Sequence, residues 1–310
     1  MDATLIASQL VNGLQLGLLL FLVAAGLTLT LGVLDYVNLA HGAFYMLGAF
    51  FSASLLELTG DWPLSVLLAL PLLGLTGLIT ERLVARPLYG KSHLAQVLAS
   101  FGLLLVIGAL AMLIWGAEGR AIALPHALRG QARLFGVVLP VYRLVIIAAA
   151  LAVAALLYVL LHHSRFGVRV RAAAANPRVA QALGIDTHRL HAMLFALGAM
   201  LAGLAGALIA PITEASLAMG AQVIIIAFVI IVIGGIGSLR GAFVAALLAG
   251  LIDTFGRAFL DTLLARVLPL EAAETAAPAL SAMSIYILMA LVLIARPRGL
   301  FPPPARGGAA

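Results

Sequence analysis

Long apolar stretches follow one another along the whole chain, separated by short clusters of Gly, Pro, Asn and charged residues. They place candidate spans near 5–33, 43–58, 63–84, 94–115, 141–162, 191–211, 219–235, 241–262 and 279–295. About 20 mainly apolar residues in a helix cross the hydrocarbon of a bilayer. The pattern therefore predicts an all-α, polytopic integral membrane protein with about eight to nine transmembrane helices, some broken or re-entrant. Residues 1–300 read as a single transmembrane domain. The second span is short, and the first runs into Leu34-Asp35-Tyr36-Val37-Asn38-Leu39-Ala40-His41-Gly42, which suits a broken or re-entrant element.

Composition reinforces this picture and excludes others. Of 310 residues, 64% are hydrophobic and only 10% charged, which leaves little for a soluble domain. A net charge of +6 would suggest nucleic acid in a soluble protein. Here the arginines lie between apolar spans, so they report membrane orientation and contact with anionic lipid, and no nucleic-acid partner is expected. Cysteine is absent, which removes disulfides, thiolate metal sites and thiol nucleophiles. The histidines His162, His163, His188 and His191 show no metal-ligand spacing, and Glu57 and Arg143 read as solvated charges at span ends. Asp253 and Arg257, four apart on one helix face, are expected to pair. Met1-Asp2-Ala3-Thr4 lacks the basic start of a secretory signal, so the first span reads as a retained helix.

Arginine placement sets an expected topology. With the N-terminus outside, twelve of the eighteen basic residues fall on the inner side: around Arg82–Lys91, Arg165–Arg189, Arg240 and Arg296–Arg306. The positive-inside bias thus predicts N-out, C-in. Two connectors are long, the outer 116–140 and the inner 163–190, and long connectors are usually functional. The inner one has the composition of a short amphipathic helix starting at Asn176-Pro177. The tail 301–310 is rich in Pro and Gly and reads as disordered. A faint echo links His41-Gly42-Ala43-Phe44 with Arg240-Gly241-Ala242-Phe243, each at the start of a span, either a repeat or a chance match in an Ala/Gly-rich chain.

Three segments carry candidate chemistry. In the first, Asn12-Gly13 is followed by Ala25-Gly26-Leu27-Thr28-Leu29 and by Val37-Asn38-Leu39-Ala40-His41-Gly42-Ala43-Phe44-Tyr45-Met46-Leu47-Gly48-Ala49. Asn and His at membrane depth can hydrogen-bond a solute, and irregular backbone is tolerated there only when buried or lining a cavity. Thr28, Asn38, His41 and Gly42 are therefore candidate pathway residues, the other reading being a helix cap at the interface. In the second, Arg165, Arg171, Arg178, Ala180, Gly184 and Ile185 belong to the inner loop, whose short helix with small residues on one face and a Gly-terminated end is suited to docking in a partner's groove. The plainer reading is a basic loop that only fixes topology. In the third, Ala199/Gly203 and Ala202/Gly206 have the spacing of close helix packing. Gly234, Gly235, Gly237 and Ser238 form either a tight turn or a helix break exposing backbone groups to substrate. No Gly-Lys-Ser/Thr follows and no strand precedes, so this is not a phosphate loop.

Together these strings resemble the permease subunits of branched-chain amino acid ABC importers, the LivH type. Leu39 and Ala43 depart from that pattern, where an aromatic and an acidic residue are usual, and Arg178-Val179-Ala180 followed by Gly184 keeps only part of the usual coupling sequence. The resemblance also takes in Met219-Gly220, Ile233–Ala242 and Arg296-Pro297-Arg298-Gly299-Leu300-Phe301. It implies a non-enzymatic subunit of a bacterial inner membrane that binds no cofactor itself. It further implies a second homologous permease, two cytoplasmic ATP-binding subunits that hydrolyse ATP, and a periplasmic substrate-binding protein. Residues 163–190 would be the cytoplasmic coupling loop and 116–140 a periplasmic loop. ATPase closure would move residues 165–190 and switch access at the breaks. A secondary transporter or facilitative channel, and a non-transporting anchor or scaffold, are the rival readings.

Overall fold

The computed structural model of the chain describes residues 3–134 and 137–302. Among them, eleven α-helices run in the order α1 Ala3–Leu34, α2 His41–Thr59, α3 Trp62–Thr80, α4 His93–Trp115, α5 Val141–His163, α6 Arg165–Ala175, α7 Pro177–Ala182, α8 Thr187–Thr213, α9 Met219–Gly234, α10 Leu239–Leu264 and α11 Leu270–Ala295. Eight described helices are long and apolar enough to span a membrane, and α9 is a shorter apolar helix of 16 residues. Each apolar run becomes a helix because hydrocarbon offers backbone N–H and C=O groups no partner except one another.

Polar residues at the ends of these runs supply the caps. Asp61 Oδ1 accepts from the Leu64 N–H at 2.8 Å, Ser92 caps α4, Ser164 caps α6, Asn176 caps α7, Asp186 caps α8 and Ser238 caps α10. α3 does not end cleanly: it loosens into a π turn, Glu81–Ala85, then a 3-10 turn, Arg86–Leu88.

Two helices form the centre. The apolar windows of α1 and α8 are 83% and 72% buried, against 17% for α4 and α11, so the first pair is wrapped by protein while the others face lipid or a partner. α8 packs against α1, α2 and α3 through its small residues: a Cβ on Gly48 would overlap the Gly203 carbonyl, and one on Gly206 the Tyr45 carbonyl. Helix packing is thus the role of the Ala199/Gly203 and Ala202/Gly206 stripes. α1 and α10 lie side by side, with Gly13 against Leu251 and Gly17 against Leu247.

The long connector 116–140 holds a 3-10 turn, His126–Leu128, and an antiparallel hairpin, β1 Gln131–Leu134 and β2 Val137–Pro140. Two expectations are corrected. Residues 163–190 hold two helices rather than one, because Ser164 accepts from the Gly167 N–H and so starts α6 before Asn176-Pro177 starts α7. α11 begins at Leu270, nine residues before the expected 279, because the alanines before Pro278 are strong helix formers and carry that proline inside the helix. The tail is described only to Pro302; residues 303–310, including Arg306, lie outside the described residues, as does Asp2. Phe301 is held, its N–H donating to the Gly234 carbonyl at 3.0 Å.

Candidate functional site

The segment between α1 and α2 folds back into the bundle. α1 continues to Leu34, yet His41, the first residue of α2, donates from Nε2 to the Val23 carbonyl at 3.0 Å. Eleven residues of helix separate Val23 from Leu34, a rise of about 16 Å, so residues 35–40 return through that depth as non-helical chain. Asp35, at φ +53°, makes the reversal. The exposed backbone is satisfied by α4: Val37 N–H donates to Gln96 Oε1 at 3.1 Å and Leu39 N–H to Ser100 Oγ at 3.0 Å. The match is geometric, since four residues of helix rise about 6 Å and two residues of extended chain about 6.6 Å. Sequence reasoning missed Gln96 and Ser100; two polar residues four apart in the apolar stretch 94–115 were the available signal.

Asn38 sits in this segment, 1% exposed, and among the described residues neither polar atom of its amide has a partner, nor does the buried Thr28 Oγ1 on α1. His41 is 1% exposed and anchors α2 to α1. At Gly42, a Cβ would overlap the Gly220 carbonyl, so α2 and α9 start where their backbones touch.

Gly234–Ser238 lies at another level. Gly32 of α1 faces Gly237, nine residues beyond Val23 and so about 14 Å along the helix. The structure therefore does not bring these glycines to Asn38 and His41. They form a tight turn with Gly235 and Gly237 at φ +102° and +84°, and Ser238 Oγ accepts from the Gly241 N–H at 3.1 Å. The carbonyls of Ile233 and Gly234 accept from the N–H groups of Leu300 and Phe301 at 2.8 and 3.0 Å. The C-terminal segment thus occupies the backbone groups that such a break would offer a solute.

Beyond the same end of α1, α6 and α7 project. Asn176 Oδ1 accepts from Arg178 and Val179 N–H, both at 3.1 Å, and opens α7. Its end is a Schellman motif: Ile185 N–H donates to Ala180 O at 3.0 Å and Gly184 N–H to Gln181 O at 2.9 Å, with Gly184 at φ +82°. Ala180 is buried beneath, while Val179 and Leu183 are 52% and 75% exposed, apolar side chains pointing out beside Arg178. Arg165 is exposed and Arg171 reaches back to the Leu161 carbonyl. A hollow of about 340 Å³ lies between α6 and the start of α8, lined by Phe166, Arg169, Leu183, Ile185, Asp186 and Arg189. The Asp186 carboxyl is held below its usual range, chiefly by the Arg189 N–H it caps.

A buried ionic contact lies beside this surface and was not singled out from sequence. Glu81 is fully buried and accepts from Arg86 Nε and Nη2 at 3.2 and 3.0 Å and from the Tyr89 hydroxyl at 3.4 Å. Burial, before the nearby carboxylate, pushes the Tyr89 hydroxyl well above its usual range. The Tyr89 ring meets His191 of α8 on one side and Tyr36 of the folded-back segment on the other, with centroids 5.3 and 5.7 Å away. One line of rings thus joins the base of the α6–α7 projection to the interior break.

At the opposite end, Arg257 Nε and Asp253 Oδ2 pair at 2.9 Å, as their spacing predicts. Two charges expected to be merely solvated are also paired: Glu57 with Arg120 at 3.1 Å, and Arg143 with the Asn12 side-chain oxygen. Among the described residues, no cluster of His, Asp or Glu could hold a metal.

Non-helical chain bearing the Asn38 amide inside an apolar bundle, with a basic two-helix projection at one end, fits a membrane transport subunit. Sequence comparison gives the family: the family described as the branched-chain amino acid transport system, permease component, matches residues 9–293, and the chain belongs to it. The chain is 30% identical to the high-affinity branched-chain amino acid transport system permease protein BraD of Pseudomonas aeruginosa, and 28% identical to LivH of Escherichia coli. Both alignments cover 96% of this chain and 95% of the relative. The probable branched-chain amino acid permease LivH of Methanocaldococcus jannaschii is 31% identical over 76% of each chain. No solved structure matches.

Proposed function

We propose that this chain is the membrane-spanning subunit of a binding-protein-dependent, ATP-driven importer of branched-chain or related amino acids in a bacterial inner membrane. It forms half of the pathway beside a second homologous permease. Two cytoplasmic ATP-binding subunits engage α6 and α7, and a periplasmic binding protein delivers the solute to the opposite end. The observation that carries this reading is the α6–α7 projection: Val179 and Leu183 exposed among arginines, on a helix closed by Gly184. Exposed apolar side chains on a short, well-capped helix suit a groove on a partner better than water. The relatives' transport of branched-chain amino acids supports the substrate class.

Eleven basic residues among those described on the α6–α7 side favour that side as cytoplasmic, N-terminus outside. Asn38 and Thr28, whose buried side chains have no partner among the described residues, suit a pathway that opens to water or solute in another state, since orphaned buried polar groups otherwise oppose folding. Movement of α6–α7 passes through His191, Tyr89 and Tyr36 to the segment bearing Asn38.

Reconstitution into liposomes tests the reading. Uptake of labelled leucine is expected only with the binding protein outside and both ATPases and ATP inside. Uptake by this chain alone would make it a facilitative channel or secondary transporter, and no uptake under either condition would leave a scaffold.

A further inference from the structure

A second polar concavity lies at the end of the bundle that carries the N-terminus, enclosing about 510 Å³ between α1, α5 and α10. Gln9, Asn12 and Gln15 line it from one face of α1, because residues three apart share a helix face. Arg143 enters from the first turn of α5, and Asp253 and Arg257 from α10. Leu16 and Ala258 give it an apolar wall.

The charges do not cancel. Asp253 is 8% exposed and pairs with Arg257 through Oδ2 at 2.9 Å, which neutralises those two. Among the described residues, Arg143 is held only by the neutral side-chain oxygen of Asn12, whose own amide donates to Gln9 Oε1 at 3.1 Å. A guanidinium oriented by amides and lacking a counterion is suited to a planar anion, which it grips with two parallel N–H donors. On the same wall, Gln15 is 5% exposed and its Oε1 has no hydrogen-bond partner among the described residues. Were this cluster only a clamp between helices, its buried acceptor would be satisfied from within, as the Asn12 amide is.

We propose that this concavity binds the charged end of a free α-amino acid, the carboxylate at Arg143 and the ammonium at Gln15 Oε1 and Asp253, with an aliphatic side chain against Leu16 and Ala258. The proposal rests on the importer reading for its ligand class and gives the solute a first station on the permease, at the end where a binding protein would release it. The carboxylate meets the guanidinium of Arg143, the ammonium meets Gln15 Oε1 and the carboxylate that Asp253 shares with Arg257, and a solute missing either charged group loses that part of the recognition.

The absence of cysteine from the chain allows a direct test. Ala258→Cys, introduced into the complete complex in liposomes, places one thiol in this chain at the pocket wall, and its reaction with a membrane-impermeant thiosulfonate is followed by mass spectrometry. Saturating L-leucine is expected to slow that reaction at least about fivefold by mass action. L-Leucinol, which lacks the carboxylate, and 4-methylpentanoate, which lacks the ammonium, are expected to protect little. Gln15→Leu and Arg143→Gln should each abolish protection, while Arg143→Lys retains part of it. Equal rates with and without leucine would overturn the proposal, as would equal protection by all three compounds or a rate set by the phosphatidylethanolamine content of the vesicles. The comparison of the three compounds needs no further substitution, so it stands even where an Arg143 variant fails to assemble. Failure of the importer reading is seen separately, as loss of ATP-driven leucine uptake by the same vesicles.

Discussion

At Glu81 a carboxylate lies fully buried at the end of an apolar helix, held by Arg86 and Tyr89. Arg86 keeps about a third of its side chain in solvent, so the pair is weaker than a fully enclosed one. Glu81→Leu is expected to destabilise the protein by about 1–3 kcal/mol, because it leaves the Tyr89 hydroxyl and the guanidinium without their acceptor. Glu81→Gln should cost less; a matched unfolding series in detergent measures both. At Gly48 the constraint is steric. The backbone there touches that of Gly203, so Gly48→Leu is expected to cost about 3 kcal/mol or more and to reduce the yield of folded protein in the membrane.

Among elements, α7 separates folding from docking. Gly184 adopts φ +82° with open space where a Cβ would lie, so a side chain there strains the backbone by of order 1–3 kcal/mol but meets nothing within the chain. Gly184→Trp is therefore expected to insert and fold, yet to lose ATP-coupled uptake because the indole occupies the partner's surface. Normal uptake by a properly inserted variant would remove α7 from the coupling role. The C-terminal segment poses a different question. Ending the chain after Arg298 removes the two N–H groups that satisfy Ile233 and Gly234, and should lower thermal stability by about 1–2 kcal/mol.

For the whole molecule the testable property is orientation. Contacts between α1's last turns, the α9–α10 turn and the C-terminal segment put most of the basic connectors at one end of the bundle. Val179→Cys is expected to react with an impermeant thiol reagent only from the cytoplasmic side of oriented vesicles, and Leu58→Cys, 82% exposed at the far end of α2, only from the other. The reverse pattern would invert the assignment of both partner surfaces. Much of this layout is legible in order along the chain: the spans, the Asp253–Arg257 pair, the Gly-closed helix after Asn176-Pro177 and the close-packing stripes of α8. Gln96, Ser100 and Glu81 were not, because each acts on a residue far away or enclosed by elements the sequence does not juxtapose.

The sequence by itself determined the solvent of this protein, its membrane-spanning helices and their number to within one, since apolar run length and the need to satisfy backbone groups in hydrocarbon are local properties. Tertiary structure alone decided that residues 35–40 turn back to the depth of Val23, that α4 supplies their hydrogen bonds, and that Leu300 and Phe301 close the glycine turn. Those outcomes depend on which helices lie side by side, and helix contacts in a bilayer are set by the fit of small residues and a few polar pairs, which the order of residues along one helix does not reveal.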